Sequence, residues 1–388
     1  MRIDDVNFFY LSMPVVRNIG DGSQDALLVQ VTMDDGTVGF GECEAAPLVS
    51  IAAWCCPMSH SACKPLKSTV LGYEINSPDD IRNLSFEVRR NSFDLLQTDH
   101  TLSGIDMALW DALGKKAGRP AWSLLGYENC FAKTAYASQL FGDTPQETFD
   151  KAKKAREGGF KATKFGWGPF GQGTVADDVA HLEAAREGLG NDRVLMIDAG
   201  TIWHEDIAAA KMRIEALKKC NALWLEEPFH CGALSEYASL SEEGVPLAAG
   251  EGSHNPSLAK HMMDFGKVKY IQIDAGRIGG LTSAYEVAEY AQRKGVVYVN
   301  HTFTTYLALS ASLQPFAGME SSFWCEYPVE STELAQTLTT KPIRPDSDGK
   351  IQISSEPGLG MEVDFETVRK FERKVQIDID NNIIWKSR

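Results

Sequence analysis

Between about residues 132 and 326 the chain alternates short β-rich runs with helical stretches, and this alternation limits the fold more than any other feature. The runs are Lys133 to Gln139, Lys161 to Phe165, Val194 to Asp198, Leu223 to Glu226, Leu247 to Glu251, Tyr270 to Asp274, Val296 to His301 and Ser322 to Glu326. Between them, Asp177 to Gly188 and Ile207 to Cys220 carry amphipathic helical spacing. Eight β-then-α units in about 195 residues predict a (β/α)8 barrel. A doubly wound sheet would want a glycine-rich phosphate loop after its first strand, and none follows Gln139.

The flanking stretches read differently. Before about residue 128, two β runs flank Asp34-Asp35-Gly36, a hairpin signal, and Ser103 is placed to cap a helix that Gly118-Arg119-Pro120 stops. This predicts an α+β unit over residues 1–128, followed by the barrel over 129–326. The remaining segment, 327–388, is too short for a core of its own and is expected to pack back on the first stretch, completing a capping domain.

Composition excludes several classes of function. The net charge of −15 makes the chain a poor partner for nucleic acid, and no basic cluster reverses that locally. No apolar run reaches the roughly 18 to 20 residues of a membrane helix, so no membrane partner is expected. The opening Met1-Arg2-Ile3-Asp4-Asp5 has acids where a secretory signal would be apolar. Eight cysteines without a C-x-x-C pair read as free thiols. A soluble, cytoplasmic protein is the expectation.

The chemistry is in what closes each barrel run. Lys164, Asp198, Glu226, Glu251, Asp274, His301 and Glu326 follow one another at intervals of 34, 28, 25, 23, 27 and 25 residues, about one β/α unit each. Strand C-terminal ends meet on one face of such a barrel, so these side chains are expected to converge on one pocket. Three carboxylates on adjacent strands (Asp198, Glu226 and Glu251) repel unless a cation sits among them; hard oxygen ligands favour Mg²⁺, with Mn²⁺ a substitute. Asp274 beside His301 reads as a dyad in which the carboxylate fixes the imidazole tautomer, leaving a general base. Alternation along a strand directs Lys164 inward and Lys161 outward, and Lys164 suits an electrophilic role toward a substrate carboxylate.

The ordered set Gly39-Phe40-Gly41-Glu42, Ala108-Leu109-Trp110-Asp111, Ile197-Asp198-Ala199, Leu225-Glu226-Glu227-Pro228, Gly250-Glu251, Ile273-Asp274 with Gly279-Gly280, Asn300-His301 and Pro357-Gly358-Leu359-Gly360 resembles the enolase superfamily, mandelate racemase-like subgroup, over nearly the whole chain. The resemblance implies that Asp198, Glu226 and Glu251 bind Mg²⁺; spacing alone leaves Glu226 and Glu227 open, and the family places its ligand two residues before the proline. It implies that His301, oriented by Asp274, removes the proton α to a substrate carboxylate while the metal and Lys164 stabilise the enediolate. Glu326 would hydrogen-bond the carboxylate from the far side. Substrate choice would lie in loops near Val15 to Gln24 and Ala45 to Cys63, with Arg17 and Trp54 as candidates. A small carboxylate substrate and a homo-oligomer are further implications.

Two departures shape the expected reaction. Racemases of the subgroup carry a Lys-x-Lys pair, but here the stretch reads Lys164-Phe165-Gly166. The third-strand motif often continues to asparagine, where this chain has Gly200. Without a second base opposite His301, elimination from a polyhydroxy acid to a 2-keto-3-deoxy acid is favoured over two-base racemisation. Epimerisation or cycloisomerisation through the same enediolate is the alternative. Glycine at 166 is also expected to leave room for a larger substrate or a water.

Overall fold

The computed structural model describes residues 1–388. At the N-terminus, β1 (Ile3–Ser12), β2 (Asp25–Met33) and β3 (Val38–Cys43) form an antiparallel sheet, with the Asp34-Asp35-Gly36 turn between the last two. The helix Thr98–Ala117 lies on β3 at very short range. A Cβ on Gly39 would come 1.9 Å from the Ala108 carbonyl oxygen, and one on Gly41 would come 2.1 Å from that of Gly104. The Gly39-Phe40-Gly41 motif therefore exists for helix–sheet contact. This helix begins at Thr98, five residues before the expected cap. Ser103 sits inside it, donating to the Asp99 carbonyl and accepting from the Gly279 amide.

Eight parallel strands then close a barrel: β4 (Lys133–Leu140), β5 (Ala162–Gly166), β6 (Val194–Asp198), β7 (Ala222–Glu226), β8 (Leu247–Ala249), β9 (Tyr270–Asp274), β10 (Val297–His301) and β11 (Trp324–Pro328). Pairing of β11 with β4 completes the ring. The two-residue period explains both its filling and its chemistry. Tyr136, Ala162, Met196, Trp224, Val299 and Trp324 pack in one interior cluster. Two residues later, on the same face, come Ser138, Lys164, Asp198, Glu226, His301 and Glu326 at the strand C-terminal ends. Apolar packing below and reactive groups above are one pattern read twice.

The stretch Ile207 to Cys220 is not one helix; it breaks into Ile207–Lys211 and Ile214–Lys219. The break lets buried Arg213 turn in, where its Nε donates to Asp178 at 2.9 Å. The C-terminal segment returns to the cap, as expected. Leu359 N–H donates to Asp111, Arg373 N–H donates to the Tyr10 carbonyl, and the helix Phe365–Phe371 sets Phe365 against Phe9 and Phe40. It also touches the barrel, because β12 (Lys350–Ile351) pairs antiparallel with β4. A hairpin of β13 (Gln376–Ile379) and β14 (Asn382–Lys386) ends the chain. No helix is long and apolar enough to cross a membrane.

Candidate active site

A cavity of about 600 Å³ opens between the strand C-terminal ends and the cap, lined by Lys164, Asp198, Glu251, Arg277 and His301 among others. Glu226 and Glu326 lie at its floor, both fully buried. Of the seven strand-end side chains, Lys164, Asp198, Glu251 and His301 line the cavity, while Glu226, Asp274 and Glu326 contact them from behind.

Lys164 Nζ is the centre of the floor, 2.6 Å from Glu226 Oε1, 2.7 Å from Glu326 Oε1 and 3.6 Å from Asp198 Oδ2. Burial opposes its charge, but the surrounding carboxylates prevail and hold its pKa well above the ordinary lysine value. Lys161 is exposed, as strand alternation requires. Glu326 also accepts from Ser138 Oγ at 2.9 Å and from the Thr302 amide at 2.9 Å.

The His301–Asp274 dyad is formed. His301 Nδ1 is 2.7 Å from Asp274 Oδ2, and Asp274 Oδ1 accepts from the Gly276 amide at 2.6 Å. With Nδ1 so engaged, Nε2 is the free end of the ring, and it stands 3.0 Å from Glu251 Oε2. Burial alone would lower the imidazole pKa; Glu251 and Glu326, with the Asp274 hydrogen bond, push it up to about 10. Glu251 is pulled down to about 2 despite its burial, by His301, Arg277 and Lys164.

The three candidate ligands share the cavity but each is turned to a different partner. Asp198 Oδ1 accepts from the Gly200 amide, Glu226 from Lys164 and Trp224 Nε1, and Glu251 faces His301 and Arg277. No three of these side chains gather around one point. The donor set nevertheless fits a hard divalent cation. Glu44, Asp198, Glu226, Glu251, Asp274 and Glu326 are six carboxylates against three protein cations, Lys164, Arg277 and His301. The excess shows in their protonation: burial first, then a neighbouring acid (Glu251 for Asp198, Asp198 for Glu226), outweigh the pull of Lys164 and push Asp198 up to about 7 and Glu226 up to about 8.

Three expectations need correction. Gly166 opens onto the cavity, but the room a side chain would take there is occupied: a Cβ would lie 2.7 Å from Asp198 Oδ2 of the next strand. Trp54 is only 4% exposed and packs on Phe8 at 5.4 Å, since Pro47–Cys55 forms a helix buried in the cap. It is a core residue outside the cavity lining. Arg17 is exposed, with its backbone held by Gln24; the wall is made by the residues just after it, Asn18 to Gly22.

Sequence reasoning missed Glu44 and Arg277. Arg277 grips Glu44 through Nε at 2.7 Å and Nη2 at 2.9 Å, and reaches the Glu251 carbonyl and carboxylate at 3.3 Å. The available signals were the two-residue step from Glu42 to Glu44 and a lone cation three residues after Asp274. Trp167 was missed too. It has φ of 56° and lies against two glycines: a Cβ on Gly20 would come 2.7 Å from its ring, and one on Gly200 would come 2.9 Å from it. His254, three residues after Glu251, packs on His100 outside the cavity lining.

A closed parallel barrel with buried acids, a lysine and a His–Asp pair at its strand ends, covered by an α+β cap, defines a barrel enzyme of the enolase type. The chain belongs to the enolase superfamily, in its mandelate racemase-like subgroup. Residues 147–368 match the enolase C-terminal domain-like family, and residues 11–126 match the mandelate racemase/muconate lactonizing enzyme N-terminal domain. The chain is 28% identical over 370 residues to the D-galactarolactone cycloisomerase of Agrobacterium fabrum, covering 89% of this chain and 90% of that one. It is 53% identical to a Rhodobacter sphaeroides protein described as a predicted mandelate racemase, with a TM-score of 0.95 over 100% of this chain and 99% of the other. The 3,6-anhydro-D-galactonate cycloisomerase of Zobellia galactanivorans superposes with a TM-score of 0.82 at 26% identity, covering 96% and 100%.

Proposed function

We propose that this enzyme removes the proton α to the carboxylate of a sugar-derived acid and expels the β-oxygen as water, giving a 2-keto-3-deoxy acid. The observation that carries the reading is the single base. His301 offers Nε2 from one side, and position 166, where a racemase of this family places its second lysine, is glycine backed by Asp198.

Asp198, Glu226 and Glu251 would hold Mg²⁺, which supplies Lewis acidity toward the substrate carboxylate. The remaining work falls to the chain. Lys164 donates to a carboxylate oxygen as negative charge develops there, and Glu326 fixes Lys164 from behind. Asp274 keeps the proton on His301 Nδ1, so Nε2 accepts the α-proton as the C–H bond breaks. As the enediolate collapses and the β C–O bond breaks, the imidazolium returns that proton to the departing oxygen. The enol so formed tautomerises to the 2-keto product.

The two cycloisomerase relatives favour a second reading with the same base and the same first step. There the β-oxygen belongs to a ring of the substrate, and its departure opens the ring without loss of atoms. Incubation of the Mg²⁺-loaded enzyme with aldonic acids, their lactones and anhydro forms in D₂O separates the two. Dehydration yields a 2-keto product lighter by one water, whereas ring opening leaves the mass unchanged apart from deuterium. His301→Asn should abolish α-proton exchange while leaving Mg²⁺ binding in place. Exchange that persists in the variant would make another group the base.

A further inference from the structure

The cavity wall divides by charge, and the division restricts the substrate. Its cationic residues are Lys164, Arg277 and the His301 imidazole, and all three are engaged by the buried acids of the reacting end: His301 faces Asp274 and Glu251. Lys164 is bracketed by Glu226 and Glu326. Arg277 is held two-pronged by Glu44, with Glu251 on its remaining edge. The wall away from the floor, where the far end of a substrate would lie, has Asn18, Asp21, Asp143, Trp167, Gln172 and Phe303. These are amides, aromatics and two acids, with no lysine, arginine or histidine.

We propose that the site takes a sugar acid with one carboxylate and an uncharged, hydroxylated far end, and rejects the matching diacid. The inference rests on the proposed function only in placing the reacting carboxylate at Lys164. A second carboxylate at the far end would lose its water and meet Asp21 and Asp143 with no cation to receive it. Hydroxyl groups suit the same wall, since they donate to carboxylates and accept from amides. Trp167 gives the wall a fixed apolar panel. Its indole is 47% exposed, and its contacts with Gly20 of the cap and Gly200 of the barrel set its position. The glycine at 200 is thereby explained: an asparagine there would collide with this ring. A volume of about 600 Å³ suits a six-carbon acid.

The test is a titration of Mg²⁺-loaded His301→Asn, in which the proposed base is removed, with matched six-carbon pairs. Gluconate with glucarate, galactonate with galactarate, and mannonate with mannarate differ only in the oxidation of the far carbon. The aldonate of the preferred configuration should bind roughly tenfold or more tightly than its aldarate. Asp143→Asn and Asp21→Asn should each narrow that gap by strengthening aldarate binding. Aldarate binding as tight as or tighter than the aldonate's overturns the inference, while α-proton exchange in the wild-type enzyme with either acid leaves the proposed function standing. If no acid of either kind binds or exchanges, both fall together.

Discussion

A single buried lysine shows how much one residue can hold in this fold. Lys133 begins β4, at the end of the barrel away from the chemistry, and is fully buried. Its Nζ donates to the carbonyls of Phe316, Met319 and Ser322 at 2.8, 2.8 and 2.9 Å and lies 4.5 Å from the Phe316 ring centroid. It thus closes the turn before β11 by satisfying three carbonyls that have few other donors. Lys133→Met should lower stability by about 2–4 kcal/mol at pH 7, through orphaned carbonyls, and leave kcat/KM nearly unchanged in the folded fraction. The pH dependence has a definite sign. Burial lowers the Lys133 pKa from 10.5 to about 8. Between those values the unfolded chain binds a proton that the native chain does not, so the wild type gains stability relative to the variant as pH rises from 8 to 10.5. Urea midpoints of both proteins across that range measure it. A gap that shrinks with pH would mean the ammonium, not the amine, is the form the fold prefers. Nothing in the sequence marked this lysine, because it reads as an ordinary strand-opening residue until the three carbonyls are seen.

Between elements, the Glu44–Arg277 pair joins the end of β3 to the loop after β9, and so the cap to the cavity floor. Glu44 is 4% exposed, and its amide also donates to the Gly276 carbonyl at 3.2 Å. Removing one member leaves a buried charge alone, so Glu44→Gln or Arg277→Met should each cost about 3–5 kcal/mol. The double variant should cost less than the sum of the two, by a coupling energy of about 1–3 kcal/mol in a double-mutant cycle on urea midpoints. Additive losses would show that the two side chains act independently. Both line the cavity, so KM should rise in each single variant. The elements themselves were largely legible: β6 and β9 span the residues expected for them, because a strand buried on both faces with its tip in the site reads as a short apolar run closed by one acid. The cap loops were not. Pro47–Cys55 has helical spacing in its buried Ile51, Trp54 and Cys55, yet glycine-free loop and short helix look alike over nine residues. Side-chain directions within the site were also beyond the sequence. Strand spacing places Glu251 at the pocket, but its turn toward His301 and Arg277 depends on contacts between distant parts of the chain.

At the scale of the molecule, barrel and cap are two architectures with one stability. Most of the apolar side chains of both pack in one continuous core, and Asp111 links three regions at once. It accepts from the amide of Phe40 in β3, from the ammonium of Lys115 on its own helix, and from the amide of Leu359 in the C-terminal segment. Trp110 Nε1 donates to Thr282 in the barrel helix Gly280–Lys294. The ordered motifs near Trp110 and Gly358 thus lie where these parts meet, which is why a pattern spread over the whole chain was readable while its reason was not. The full chain should therefore unfold in one calorimetric transition despite its two domains. A chain ending at residue 337 removes Leu338, Ile351, Leu359, Met361, Val368 and Phe371 from the core. At about 1.5–3 kcal/mol each, that loss matches or exceeds the ~5–15 kcal/mol by which a native protein is stable. It also strips β12 from β4 and exposes the faces of β1 and β3 that cover Phe365. The shortened chain should be insoluble, or soluble only as a species that binds a hydrophobic dye and lacks a cooperative transition. A barrel that still melts sharply after this cut would show that the closed ring of eight strands is stable without its cap.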